Sequence, residues 1–214
     1  MDTLPIELHS QIFELACTDD GTTARSLSSV SRYVREVSRP FVLQSVAVSG
    51  LRSLTALADK LEILPPHKRR VRKLFISDWT RKQAESKMIS SNDHDMDRYE
   101  VERLTITRLL DLVCPTVESL SFSISCPFNS TQLIGHLFSL DLPFLESLAI
   151  HGFYPSPSCR VSMPRLQCLH LSGNRNPYGL FQTGNLQTVS PKLAHLRISG
   201  LVSAASFSEE LESA

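Results

Sequence analysis

The chain of 214 residues has no surplus of either charge: 22 Lys and Arg stand against 22 Asp and Glu. General binding to nucleic acid or to an acidic membrane surface needs a basic field, so neither is expected. Long apolar runs are also missing, and no stretch approaches the roughly 20 apolar residues that a bilayer span requires. The first ten residues hold neither the basic nor the apolar segment of a secretory leader, so a cytoplasmic and/or nuclear location is expected. Cysteine is sparse. Cys17, Cys114, Cys126, Cys159 and Cys168 are odd in number, irregularly spaced and never form a C-x-x-C pair. Neither a disulfide framework nor a zinc site is expected.

Catalytic motifs are absent too. There is no G-x-S-x-G, no P-loop and no G-x-G-x-x-G. No nucleophile, base and orienting group stand out together, so neither an enzyme nor a cofactor is expected. Asp93, Asp95 and Asp97 imitate the start of a calcium loop, but Arg98 takes the glycine position and Leu104 that of the closing Glu. His67 to Lys73 holds five positive residues in seven, with no interleaved aromatics. That run reads as a solvated turn leading into a strand. Asn129-Ser130-Thr131 has the form of a glycosylation site and is expected instead to cap a helix.

Two residue types are abundant: leucine occurs 31 times and serine 30 times. Much of the leucine falls in a repeat. Four segments align without gaps, starting at Pro115, Pro143, Pro164 and Pro191. Two residues on stands Val117, Leu145, Leu166 or Leu193. Five on stands Leu120, Leu148, Leu169 or Leu196, and seven on stands Phe122, Ile150, Leu171 or Ile198. The consensus is P-x-L-x-x-L-x-L/I. Its last two positions are two apart and share one face of a strand. A weaker copy without proline runs through Val71, Leu74 and Ile76.

The copies start 28, 21 and 27 residues apart, within the span of leucine-rich repeats. Parallel strands need such crossovers, and one copy cannot bury its apolar face alone. The expected fold class is α/β: a helical module followed by an irregular leucine-rich-repeat solenoid with a short parallel sheet. Return helices are expected over residues 99–113, through Val101, Leu104, Leu109, Leu112 and Val113, and over 132–138. Residues 151–163 and 173–190 read as irregular.

Upstream, Pro5 at a first helical position and Glu7 open a helix over residues 3–17, with Leu8, Ile12, Leu15 and Ala16 on one stripe. Leu4, Ile6 and Phe13 fall off that stripe. Thr22 or Thr23 is expected to cap a second helix over 24–37, and Pro40 to open a third. An amphipathic helix over 51–64 ends at Pro65-Pro66. The expected units are 1–48, a connecting helix in 49–66, repeats in 67–205 with a polar insertion at 80–98, and a tail or cap at 206–214.

Leu4-Pro5-x-Glu7-Leu8-x-x-x-Ile12-Phe13, followed by Leu27-x-x-Val30-Ser31-Arg32-x-x-Arg35, resembles the F-box over residues 3–48. Val34 stands where that pattern carries Trp or Phe, and Ala16-Cys17 where Leu is common. The resemblance implies a substrate-recognition subunit of an SCF-type cullin–RING ubiquitin ligase. It implies that Leu4, Pro5, Glu7, Leu8, Ile12, Phe13, Val30, Ser31, Arg32 and Val34 meet a Skp-type adaptor and, through it, a cullin. The off-stripe positions of Leu4, Pro5 and Phe13 point the same way. An F-box followed by leucine-rich repeats is a known layout, in which the repeats hold the target. Side chains between the core leucines are then candidates for target contact: Glu118, Glu146, Gln167, His170, His195 and Arg197. A repeat scaffold with no ligase role is the second reading.

Overall fold

One spacing of apolar residues recurs along the chain, and it builds a single sheet. The computed structural model describes residues 4–80, 93–154, 163–173 and 190–200. Its strands are β1 (Ser45–Ser49), β2 (Lys73–Ser77), β3 (Ser119–Ser123), β4 (Ser147–His151), β5 (Cys168–Ser172) and β6 (His195–Ser199). They form one six-stranded sheet in chain order, and every pairing is parallel. The register aligns Val46, Leu74, Leu120, Leu148, Leu169 and Leu196 in one row, and Val48, Ile76, Phe122, Ile150, Leu171 and Ile198 in the next. Val71, Val117, Leu145 and Leu166 form a buried third row, with Leu43 and Leu193 half-buried at its ends.

The five expected copies are all strands. A sixth was not foreseen: Leu43, Val46 and Val48 repeat the same spacing in β1. The helical module expected over 1–48 therefore stops short of Ser45, and its last residues belong to the sheet. The repeat proline stands four residues before β3, β4, β5 and β6 begin. In three copies it takes the second place of a tight turn, closed from Leu145 N to Leu142 O (3.3 Å), Leu166 N to Met163 O (3.1 Å) and Leu193 N to Ser190 O (3.1 Å). Its fixed φ suits that place. The chain then enters each strand through one carbonyl that accepts two amides. Glu118 O takes Glu146 N (2.7 Å) and Ser147 N (3.1 Å), and Gln44, Arg72, Glu146 and Gln167 repeat the arrangement.

Among the described residues three helices cover the apolar face: α4 (Leu51–Ile63), α5 (Asp93–Val113) and α6 (Pro127–Leu137). In α4, Leu54, Leu57 and Leu61 are buried, as expected of that helix. α5 starts at Asp93, so part of the expected insertion at 80–98 is helical, and residues 81–92 lie outside the described residues. Its inward face is turned from the expected one. Val101 and Leu104 are exposed, and Glu102, Thr105, Ile106, Leu109, Leu110 and Val113 point inward. That set keeps helical spacing but includes polar residues, so apolar periodicity alone selected the wrong face of the first turns. Asn129 and Ser130 cap no helix end. Both are buried inside α6, where Asn129 Nδ2 donates to Tyr99 O (2.7 Å) and Ser130 Oγ accepts from Phe153 N (2.7 Å). The expected irregular returns fall mostly, and the expected C-terminal cap wholly, outside the described residues.

The N-terminal helices are α1 (Ile6–Ala16), α2 (Thr22–Val30) and α3 (Arg32–Ser38), followed by a 3-10 turn (Arg39–Phe41) where a third full helix was expected. The helix expected over 24–37 breaks at Ser31, whose backbone is extended and whose Oγ accepts from Val34 N (3.1 Å). Arg35 Nε donates to Ser28 O (2.6 Å) and so occupies a free carbonyl of the last turn of α2. Asp19, not a threonine, caps α2: its carboxylate accepts from Gly21 N (3.0 Å), Thr23 N (2.9 Å) and Thr23 Oγ1 (2.7 Å). These bonds, Thr23 foremost, hold the Asp19 carboxyl below its ordinary range. The helices enclose a small core of their own: Phe13, Cys17, Ala24, Val34, Val37 and Phe41.

Glycines close the strand ends where the rungs approach most tightly. A Cβ on Gly173 (φ +145°) would lie 2.0 Å from Gly152 O, and one on Gly152 would lie 2.4 Å from Ser130 Oγ. A Cβ on Gly200 would meet nothing nearer than 3.1 Å. Gly173→Ala is therefore expected to destabilise the protein by about 2 kcal/mol or more, and Gly200→Ala by clearly less. Urea unfolding of the two variants checks the order.

Candidate functional site

α1 packs by its less apolar side. His9, Phe13 and Cys17 point inward, with Phe13 4% exposed. The His9 ring stands 6.0 Å from Phe13 and edge-on to Tyr33 at 5.5 Å, with Nδ1 3.0 Å from the Tyr33 hydroxyl. The other side carries the expected stripe and leaves it in solvent. Leu4, Ile6 and Leu8 are exposed, Ile12 is 49% exposed and Leu15 79%. Val30, at 61%, and Tyr33 add apolar surface from α2 and α3. Contiguous exposed apolar surface of this kind is a candidate interaction surface.

The structure sorts the ten residues that the F-box resemblance assigns to the adaptor. Leu4, Pro5, Glu7, Leu8, Ile12, Val30, Ser31 and Arg32 are exposed. Phe13 and Val34 are not: they belong to the internal core, because α1 and α3 meet across them. The departure at Val34 therefore changes the inside of the module. Ser31 acts as a cap. Ile6, Leu15 and Tyr33 were not assigned to that surface; the spacing from Leu4 through Leu8 to Ile12 and Leu15 was the signal for Leu15.

This helical unit is tied to the sheet by polar contacts. Gln44 Nε2 donates to Glu14 O (2.8 Å), and the Ser45 hydroxyl donates to Asp19 O. Arg72, at the entrance to β2, reaches Glu14 Oε1 on α1 (2.7 Å) and Glu118 Oε1 beside β3 (2.7 Å). Glu118, foremost, and Glu14 strengthen the hold of the Arg72 guanidinium on its proton. Glu118 was a candidate for target contact and is occupied by this bridge.

The face of the sheet opposite the core is exposed in part: Lys73 and Phe75 on it are exposed, and Ser45 and Ser77 are buried. Its outward positions are Ser45, Ala47 and Ser49 on β1, Lys73, Phe75 and Ser77 on β2, and Ser119, Ser121 and Ser123 on β3. Ser147, Ala149 and His151 follow on β4, Cys168, His170 and Ser172 on β5, and His195, Arg197 and Ser199 on β6. Half are serine, which accounts for part of that residue's abundance. His151, His195 and Arg197 are exposed and His170 is half-buried, its Nε2 3.0 Å from Ser199 Oγ. Glu146 and Gln167 are exposed at strand entrances. Lys73, Phe75 and His151 share this face and were missed, although Lys73 stands one place before a repeat leucine, Phe75 between the two strand apolar positions and His151 one place after the final one.

Two carboxyls are buried behind the strand ends. Asp78 follows β2 at the place that glycine takes after β1, β4, β5 and β6. Its carboxylate accepts from Ser125 N (3.0 Å) and Cys126 N (2.7 Å) and so meets the start of α6, while burial raises its carboxyl. Glu102 on α5 is buried, and its Oε1 has no hydrogen-bond partner. Burial first, then the charge of Asp78, raises its carboxyl to about 7. Among the described residues no group of three His, Cys, Asp or Glu is placed to hold a metal ion, and no helix is long and apolar enough to cross a membrane.

Family models, curated proteins and solved structures were compared with this chain, and none matches. Glu102 yields a pH prediction. Its folded carboxyl titrates above the unfolded one, so stability falls as pH rises from about 4.5 to about 7 and the loss is complete above that. Glu102→Gln is expected to be more stable than wild type by on the order of 2–3 kcal/mol at pH 8, with the gap closing near pH 4.5. Unfolding curves at both pH values measure it. For Arg72, a double-mutant cycle with Glu14 is expected to give about 0.5–1 kcal/mol of coupling, most of it lost in about 1 M salt.

Proposed function

We propose that the chain is the substrate-recognition subunit of an SCF-type cullin–RING ubiquitin ligase. The N-terminal helices are an F-box-like module that docks on a Skp-type adaptor, which links them to a cullin. The ladder of strands is an irregular leucine-rich-repeat solenoid that holds a target protein. The observation that carries the reading is the inverted packing of α1, with Leu8, Ile12 and Leu15 in solvent and Phe13 inside. Covering such a stripe removes apolar area from water, at about 25 cal/mol per Å².

Two features support the layout. The resemblance places an adaptor motif on residues 3–48, and eight of its ten assigned positions are exposed. The parallel ladder follows in register from β1 to β6, with a repeat of leucine spacing. No bond is made or broken by this subunit. Its contribution is proximity: a lysine of the target is held near a ubiquitin-charged partner. The Arg72 bridge suits that task, since it fixes the adaptor-facing helices against the target-facing sheet.

The test is a pull-down with purified adaptor and cullin. Wild type is expected to bind, and the double variant Leu8→Asp, Ile12→Asp to lose binding while its unfolding midpoint stays near that of wild type, because both positions are already wet. No binding by wild type, or equal binding by the double variant, contradicts the proposal. Co-purification with targets but never with a cullin favours a repeat scaffold without a ligase role.

A further inference from the structure

α5 is held unevenly along its length. From Ile106 onward it is anchored by apolar side chains, with Ile106, Leu109, Leu110 and Val113 buried in the main core. Between Met96 and Thr105 the buried side chains are Glu102 and Thr105, while Met96, Val101 and Leu104 are exposed. Polar and ring contacts hold this part instead. Asn129 Nδ2 donates to Tyr99 O (2.7 Å), and the Tyr99 ring stacks on Phe128 with centroids 5.7 Å apart. Little apolar area leaves water here, so these turns can open without unfolding the core.

Glu102, 2% exposed, shares a buried junction with Asp78 at the exit of β2, 1% exposed, and with Cys126 at the head of α6. Asp78 accepts from two amides, an arrangement that favours its charged form. Glu102 Oε1 has no donor. The other charges around the junction are turned elsewhere. Arg98, four residues before Glu102, is exposed and lines a cavity with Arg52 of α4. Asp59 and Glu62, the acids of α4, are held by Arg108 farther along α5. A second negative charge inside the junction therefore has no donor and is shut away from water.

We infer that Glu102 and Asp78 form a pH-sensitive latch, which holds the first turns of α5 shut while Glu102 is protonated and frees them when it is not. In the shut state the junction carries one charge, on Asp78, and one proton, on Glu102. When the Glu102 O–H bond breaks, the proton passes to bulk water and the new carboxylate must be hydrated. Turning the start of α5 outward hydrates it, parts Asn129 from Tyr99 O and uncovers Cys126, which is 1% exposed in the shut state. Glu102 keeps its proton up to about pH 7, so the latch is shut on the acid side of neutrality and opens on the alkaline side. The inference does not depend on the ligase role.

The test labels the full chain with iodoacetamide at about pH 6 and about pH 8 and follows each cysteine by mass spectrometry. Dividing the wild-type rate at Cys126 by the rate in Glu102→Gln cancels the titration common to both thiols. That ratio is expected to grow roughly tenfold between the two pH values. Burial first, then the charges of Asp78 and Glu102, raise the Cys126 thiol, so the charge of Glu102 acting alone would slow labelling instead. Cys17, equally buried but in the core of the N-terminal helices, is expected to stay the slower of the two. Hydrogen exchange of wild type, corrected for the intrinsic rate, gives a second reading that needs no variant. Amides 101–105 are expected to lose roughly tenfold in protection over the same pH interval, and at about pH 8 to exchange ahead of amides 106–113. A constant Cys126 ratio, labelling of Cys17 as fast as Cys126, or equal protection along α5 at about pH 8 overturns the inference.

Discussion

No strand of this sheet can bury its apolar face alone. Each five-residue strand offers two inward side chains, and a third three residues upstream. They leave water only when the next copy stacks in register, as Leu120, Leu148 and Leu169 do. A slip by one residue would turn each leucine outward and each serine inward. That penalty fixes the register, and the register fixes everything else. It sets which side chains reach the outward face, and it brings the strand ends so close that only glycine fits at Gly152 and Gly173. Asp78 departs from the glycine rule and meets the two amides that open α6.

The same dependence explains the N-terminal helices. Their own core is small, and α1 gives it His9 and Phe13 while Leu8, Ile12 and Leu15 stay wet. So small a unit is marginal when isolated. It leans on the sheet through Gln44, Ser45 and Arg72. Under the proposed function it leans on the adaptor by the opposite side. The molecule then has two faces of different chemistry, apolar on the helices and polar on the strands.

The sheet was largely legible because its signal is redundant. Proline, three apolar positions and a fixed spacing recur together, so five strands could be placed before any coordinate was known. β1 was missed because Leu43, Val46 and Val48 lie inside the stretch that the F-box resemblance covers; like β2, they carry the spacing without the proline. The helices were legible in extent but not in orientation. Apolar periodicity finds a stripe and does not say whether the stripe faces the core or a partner, so Phe13 was placed outside and is inside. In α5 the inward face includes Glu102 and Thr105, which no hydrophobic pattern selects. The break at Ser31 was hidden because Ser continues a helix or caps one equally well, and only the fold of Arg35 back onto Ser28 O shows which.

The claim on which the account stands is that the outer stripe of α1 meets a second protein. Hydrogen–deuterium exchange of the full chain, with and without purified Skp-type adaptor, addresses it directly. Added protection confined to residues 4–16 and 30–35, with the strands unchanged, is the predicted result. Unchanged exchange across α1 at saturating adaptor, or protection that appears only on the sheet, would contradict it.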